Sequence, residues 1–485
     1  MTVQTSVSGV EMIPVEIPFS ASDPEGQSVT LLAKAGADAD LFIISSTGSG
    51  SSLTGFARLF NADYEWPLDA NRDNVYELTL RVVNNRTTTT RDIRVNIQNA
   101  VDQVSVTRLA TGFDEPVDIA IGPNNYVTGG SVGIVAERKG RLWVIEDNGR
   151  VVRPTPLLDI SSEISTQDGM GILGIEFLTT GSWGRDHENG NIFVYLTNLQ
   201  GDVELRTYMI RLGYVSAEPV PEPNFRVMRI DMPDGTTGNR GGGLHRVIRG
   251  GLLVGVGDGG GVGDPSGFAQ NPNSLLGKLL RIEPFSDCFP ADPIRNYCFV
   301  PNNPFLGNGL GAPEVWAMGL RNPTQIARDT VAEDYYVVDQ GELATYEVNR
   351  LPQYPAGLVN FGWPRRNGAA AYNGGLDSPA FTPPIAVFLP GGASQKRMVG
   401  GIVYRGTTEA HQAEYIFGDS ATGAVNAFHV RDAPTGSTLT AINNITSELI
   451  PDVGRIDGPV AITEAVNRDM LILDRDGEIF LYKKR

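Results

Sequence analysis

The chain has 485 residues, with 57 glycines, 31 prolines, 8% aromatic residues and a formal net charge of −17. That length exceeds one ordinary core and points to at least two domains. The turn-rich composition fits an all-β protein, and the negative balance argues against nucleic acid or anionic lipid as a partner. The sequence has no apolar run of the roughly 18 residues that a membrane-spanning helix needs, and MTVQTSVSGVEM lacks the basic start and apolar run of a signal peptide. The chain reads as a mature form, or as a fragment of a longer multidomain secreted protein.

Residues 1–103 are expected to form a separate β-sandwich. Period-two alternation marks strands at 15–19, 29–33, 42–45, 76–83 and 90–97. Two acidic segments punctuate them, ASDPEG from Ala21 and DYEWPLDANRDNVYEL from Asp63. Asp69, Asn71 and Asp73 alternate, so three oxygen-bearing side chains can converge from one loop, and Glu65 can add a carboxylate. That is a candidate Ca2+ site; the alternative is a solvated acidic turn. The pattern resembles the bacterial cadherin-like repeat, in which such loops hold Ca2+ between strands. Affinities of roughly 10⁻⁴–10⁻³ M are typical of extracellular calcium modules and useful only outside the cell.

After a linker at Asn99–Asp102, residues 104–485 read as a long succession of short strands. They begin at 104–109 and 117–121, and a hairpin turns over Arg138-Lys139-Gly140. Strands continue through 191–197, 204–211, 226–231, 244–248, 252–256 and 275–282. They resume at 400–404, 414–418, 425–430, 460–463, 470–474 and 478–482. Strand, tight loop, strand, with short polar connectors, is the rhythm of a propeller blade. Cys288 and Cys298 flank a short loop. A disulfide there would place the protein in an oxidising compartment, extracellular or periplasmic; the alternative is two free thiols. Two longer insertions, 285–308 and 365–392, are of the size that carries binding on rigid scaffolds.

Four motifs stand in order: GVGDGG from Gly255, NSLLGKLLRI from Asn273, EVWAMGLRNP from Glu314 and NFGWP from Asn360. Together they resemble the glucose/sorbosone dehydrogenase family, the soluble pyrroloquinoline-quinone (PQQ) sugar dehydrogenases, over about residues 104–485. The resemblance implies a six-bladed β-propeller with PQQ flat over the central channel. It implies cofactor contacts from Arg321 and Asn322, and from Arg455 by a looser match. An arginine fork suits a tricarboxylate; the alternative is a structural arginine bonded to loop carbonyls. The family's propeller Ca2+ would be held by the carbonyls of Gly341, Glu342 and Phe361 with the Glu347 carboxylate; the alternative is a salt-bridged Glu347.

The chain departs from the family pattern at the catalytic base. The family's histidine position is occupied by Asn239, which cannot take a proton at useful pH, and His245 lies on a different step of the strand. The polar cofactor contact expected before Gly171 is replaced by Gly169, and a late lysine by Ala421 and Thr422. His187, His411 and His429 are isolated and read as surface or packing residues. No zinc spacing, nucleophile elbow or phosphate loop is found. Two functions follow: a PQQ- and Ca2+-dependent aldose dehydrogenase acting on a small sugar, or a catalytically inactive propeller serving as an extracellular carbohydrate-binding or adhesion module.

Overall fold

In the computed structural model the chain forms two compact units, Met1–Gln103 and Val104–Arg485. The structure describes all residues except 11–12, 49, 61, 63, 65–66, 99–103, 126–129, 147–150, 180–188, 212–224, 237, 248–250, 373–377, 390–397, 407, 409–410, 433–437, 440–441, 466 and 485.

The first unit is a pair of four-stranded sheets. One has the order Thr2–Val3, Val15–Ser22, Ser52–Leu59, Phe42–Thr47, and the other Ser6–Val10, Thr88–Gln98, Val75–Val83, Thr30–Ala35. Alternation builds the core. Val15–Ser22 buries every second residue, so Ile17 and Phe19 share a core with Tyr76, Leu78, Leu80, Ile93 and Val95 of the other sheet. Ser52–Leu59 is a strand that sequence alone does not predict, because Ser52 and Thr54 face outward and a glycine, Gly55, takes an inward position. Pairing on both sides, with Val15–Ser22 and Phe42–Thr47, overrides that weak propensity.

In the second unit consecutive strands form antiparallel sheets spanning 116–159, 172–230, 244–318, 323–388 and 398–444, the third joined in parallel by Val359–Asn360. A last sheet of Pro459–Glu464, Met470–Asp474 and Ile479–Lys484 takes Val104–Ala110 as its outer strand, which pairs with Ile479–Lys484. The first strands, Pro116–Asn125, Ile172–Thr179, Leu244–Arg246, Pro323–Arg328, Met398–Val403 and Pro459–Glu464, touch in that order, and the last returns to the first. Cores lie between neighbouring sheets: Ile134 and Leu142 with Ile175 and Val194, Phe193 and Leu205 with Val254 and Leu280, Tyr336 and Val338 with Tyr415 and Phe417. Further round, Ile416 and Val425 pack with Ile472 and Phe480, and Val135 and Ile145 with Leu471 and Leu473. Strands covered on both faces explain the continuous apolar runs: Leu252–Val256 and Met470–Asp474 are buried at every position.

Expected strands recur with shifted ends. The strand predicted from Leu275 begins at Lys278, because Leu275–Gly277 are held in a tight loop around the Lys278 ammonium. Cys288 and Cys298 are disulfide-bonded, with Cα atoms 5.1 Å apart.

Candidate functional site

The segments singled out in the sequence meet where the first strands of their sheets begin and the second strands end. Asp258, just past Leu252–Val256, is the hub. Its Oδ1 accepts the Asn239 Nδ2–H (2.9 Å) and the Gly260 N–H (2.9 Å), and its Oδ2 accepts the Trp363 indole N–H (2.8 Å). Its own N–H donates to the Arg321 carbonyl at 2.8 Å. Burial raises the Asp258 pKa above the usual carboxyl range despite those donors. Asn239 adopts a left-handed φ of 52°. A Cβ on Gly257 would stand 1.9 Å from the Asn239 carbonyl oxygen, which is why this motif needs glycine there.

Asp339, at the end of Tyr335–Gln340, accepts the N–H groups of Arg321 (2.9 Å) and Asn322 (2.6 Å). Asn322 is spent internally: its Oδ1 accepts the Gly241 N–H at 2.8 Å and its Nδ2 donates to Gln340 Oε1 at 3.1 Å. Arg321 Nη1 donates to the carbonyls of Gln340 (3.1 Å) and Gly341 (3.2 Å), and Nη2 to Glu342 Oε1 (3.1 Å). The guanidinium carbon lies 5.6 Å from the centre of the Trp363 ring. Glu342 Oε2 accepts the Gly263 N–H at 3.1 Å. Glu347 faces Asp339 across the ladder and accepts the Asn349 Nδ2–H at 3.0 Å. Burial first, then the neighbouring carboxylate, pushes the Glu347 pKa up, and burial does the same to Asp339.

Asn239, Arg321, Asn322, Gly341 and Glu342 are thus brought into one network, with Glu347 at its edge. Phe361 is buried and donates its N–H to the Met318 carbonyl at 2.9 Å. Arg455 is exposed and joins none of these contacts. The arrangement does not fit the implied metal. The Arg321 guanidinium already holds the Gly341 carbonyl and the Glu342 carboxylate, and Asn367 Nδ2 holds the Glu342 carbonyl at 3.0 Å. Nor does it fit a polyanion readily, since the Arg321 charge is met by Glu342 with both side chains 13% exposed. In the first unit, the Asp73 N–H donates to Asp69 Oδ2 (2.9 Å), and Asp73 takes the Asn71 Nδ2–H (3.0 Å) and the Val75 N–H (2.9 Å). Those oxygens are spent on the loop itself, leaving Asp69 Oδ1 buried without a donor. Glu65 lies outside the described residues.

Sequence reasoning missed Asp258 as the hub and Lys278 as a strut. Lys278 is fully buried, and its Nζ donates to the carbonyls of Phe268 (2.7 Å), Ala269 (3.1 Å) and Leu276 (2.7 Å). The signal was a lysine inside the apolar run Leu275–Ile282. Beside the network lies a cavity of about 640 Å³, lined by Thr345, Asn367, Tyr372, Val387, Leu389 and Thr438 among others. Tyr372 stacks on Trp363 with ring centres 5.4 Å apart. Asn367 grips the Glu342 backbone through both its N–H (2.9 Å) and its carbonyl (3.0 Å).

The sequence profile of the glucose/sorbosone dehydrogenase family matches residues 113–445. The chain belongs to this family. HIPL2 protein of Arabidopsis thaliana is 26% identical over 408 residues, which cover 71% of this chain and 57% of HIPL2. HIPL1 protein of the same plant is 32% identical over 206 residues, 38% of this chain and 29% of HIPL1. The chain therefore spans only part of the length of these relatives. Aldose sugar dehydrogenase YliI of Escherichia coli K12 is 28% identical over 165 residues, 33% of this chain and 39% of that protein. Among solved structures, the apo form of the soluble aldose sugar dehydrogenase of Escherichia coli superimposes with a TM-score of 0.57 at 18% identity, covering 79% of this chain and all of that one. A putative glucose dehydrogenase of Thermus thermophilus gives 0.55 at 17% identity, covering 78% and 99%. The family member is thus an all-β protein with a sugar-dehydrogenase-type propeller.

Proposed function

We propose that the second unit is a six-bladed sugar-dehydrogenase-type propeller that binds carbohydrate without oxidising it. The observation that carries this reading is the pair of side chains at the network's centre. Asn239 stands at the family's base position and is locked to Asp258 at 2.9 Å, and Arg321 is neutralised by Glu342 at 3.1 Å. An amide offers no proton acceptor for a sugar hydroxyl. The closed cycle of first strands supports the blade number. A cavity of about 640 Å³, lined by the partly exposed rings of Tyr372 and Phe388 and by Asn367, Thr345 and Thr438, whose polar groups already bond within the protein, has the size and the aromatic faces for a small sugar. The disulfide supports an extracellular or periplasmic setting. For the first unit, the sandwich and the unpaired Asp69 Oδ1 support a cadherin-like, Ca2+-holding module.

The test is a titration of the full chain with a panel of monosaccharides and short glycans, followed by ligand-observed NMR. Binding that Tyr372→Ala weakens at least about tenfold supports the reading. No binding by any sugar, or binding indifferent to Tyr372→Ala, overturns it. A second reading, a PQQ- and Ca2+-dependent aldose dehydrogenase, is favoured by one observation: the motif segments the family shares converge on a single network around Asp258 and Arg321.

A further inference from the structure

We propose that Asp457, Asp474 and Asp476 form a site for a divalent, oxygen-seeking cation of the Ca2+ class, separate from the network around Asp258. Asp474 ends the strand Met470–Asp474 and is completely buried. Its Oδ2 accepts the N–H groups of Asp457 (3.0 Å) and Gly458 (3.0 Å). Its Oδ1 is sealed from solvent and has no donor. The Asp476 carboxyl faces that of Asp474, and one carboxylate oxygen from each of the three residues lies within 4.8 Å of the other two. Of the nearby basic side chains, Arg108 pairs with Glu478, and Arg475 lies over Gly458 with one N–H donated to the Ser420 carbonyl at 3.0 Å.

Comparison with another sheet of the same ring shows what is missing. Asp457-Gly458-Pro459 leads into its first strand as Arg321-Asn322-Pro323 does. Asp474 accepts the two N–H groups of that entry as Asp339 does. The Arg475 N–H donates to the Gly458 carbonyl at 2.8 Å, as the Gln340 N–H does to Asn322 at 3.1 Å. Asp457 therefore occupies the place of Arg321, and Asp476 that of Gly341. In one sheet the Arg321 guanidinium, paired with Glu342, also acts through space on the buried Asp339 and Asp258 carboxylates. In the other that cation is replaced by an acid, and a second acid is added. Three carboxylates at this separation, one of them desolvated, repel one another unless a shared proton or a cation from solution sits among them. Carboxylate oxygens alone, with Asp476 exposed and Asp457 half-buried so that waters can complete the shell, match the flexible coordination of Ca2+.

The test is calorimetric titration of Ca2+ into the full chain, with thermal unfolding measured in parallel. The expected result is a site with Kd of roughly 10⁻⁴–10⁻³ M that is weakened at least about tenfold in both Asp457→Asn and the exposed Asp476→Asn. The site should persist in Asp73→Asn, which reports on the acidic loop of the first unit. A calcium-induced rise in the unfolding temperature of the second unit should disappear in the same two variants. No binding by the wild type up to about 10 mM Ca2+, tenfold above the weak end of that range, overturns the proposal. So does unchanged affinity in folded Asp476→Asn and Asp457→Asn.

Discussion

Asn239→His is the substitution whose outcome the network geometry specifies most fully. The Asn239 φ of 52° lies in the left-handed region that histidine, like asparagine, tolerates better than most side chains. Histidine Nδ1 branches from Cγ as asparagine Nδ2 does, so its N–H can replace the 2.9 Å bond to Asp258 Oδ1. Asp258 stays fixed by Gly260 and Trp363. Nε2 is then a free acceptor on an imidazole oriented by a buried carboxylate, the arrangement that makes histidine an effective base. A positioned base contributes about 10²–10⁴ in rate, or about 3–5 kcal/mol of barrier. The assay is dye reduction with several aldoses after reconstitution with PQQ and Ca2+. It should be run on Asn239→His and on Asn239→His/Glu342→Gln, in which the Arg321 charge is released for an anionic cofactor. The double variant should exceed the wild type by at least about a hundredfold. If it retains PQQ by absorbance and reduces dye no faster than the wild type, the placement of the base at Asn239 is wrong.

Other substitutions test the packing around the site. Arg321→Met strands the Glu342 carboxylate, 13% exposed, and should cost about 3–5 kcal/mol in urea unfolding of the second unit; a change below about 1 kcal/mol would show the pair to be solvated. Lys278→Met removes the ammonium from three buried carbonyls and should destabilise by at least about 3 kcal/mol, leaving the first unit's transition unmoved. His411 lies between Glu414 (2.5 Å) and Glu448 (3.3 Å). Despite burial, these carboxylates raise its pKa to about 9. A histidine with a raised folded-state pKa stabilises fully below its unfolded value of about 6.5 and loses that contribution as pH rises through about 9. Stability should therefore fall by up to about 3 kcal/mol across that window. His411→Gln should flatten the profile, and an equally steep one would refute the assignment.

First-unit strands were readable from alternation, and several propeller strands because they are buried on both faces and spell apolar runs, as Leu252–Val256 and Met470–Asp474 do. Ser52–Leu59 was not, since only its neighbours make it a strand. The motif segments were legible as segments, but their internal roles were not. Arg321 looks like a cofactor anchor until Glu342, far along the chain, is seen against it. Asp258 reads as one more loop acid in a glycine run until Asn239 and Trp363 converge on it. Asp474-Arg475-Asp476-Gly477 reads as a hairpin turn. Only the entry of the sheet's first strand, Pro459–Glu464, brings Asp457 beside it. In each case the missing information is which ends the strand pairing brings together, across a hairpin for Arg321, Asn239 and Asp457 and over 105 residues for Trp363, which local spacing does not encode.

The proposed function rests on a propeller of the family's type in which Asn239 stands where the family's proton acceptor is expected. The direct measurement is the rate of dye reduction by the wild-type chain, supplied with PQQ, Ca2+ and a panel of aldoses. The expected result is no reduction above the cofactor-only background. Sugar-dependent turnover at about 1 s⁻¹ or faster, an ordinary enzymatic rate, would contradict it.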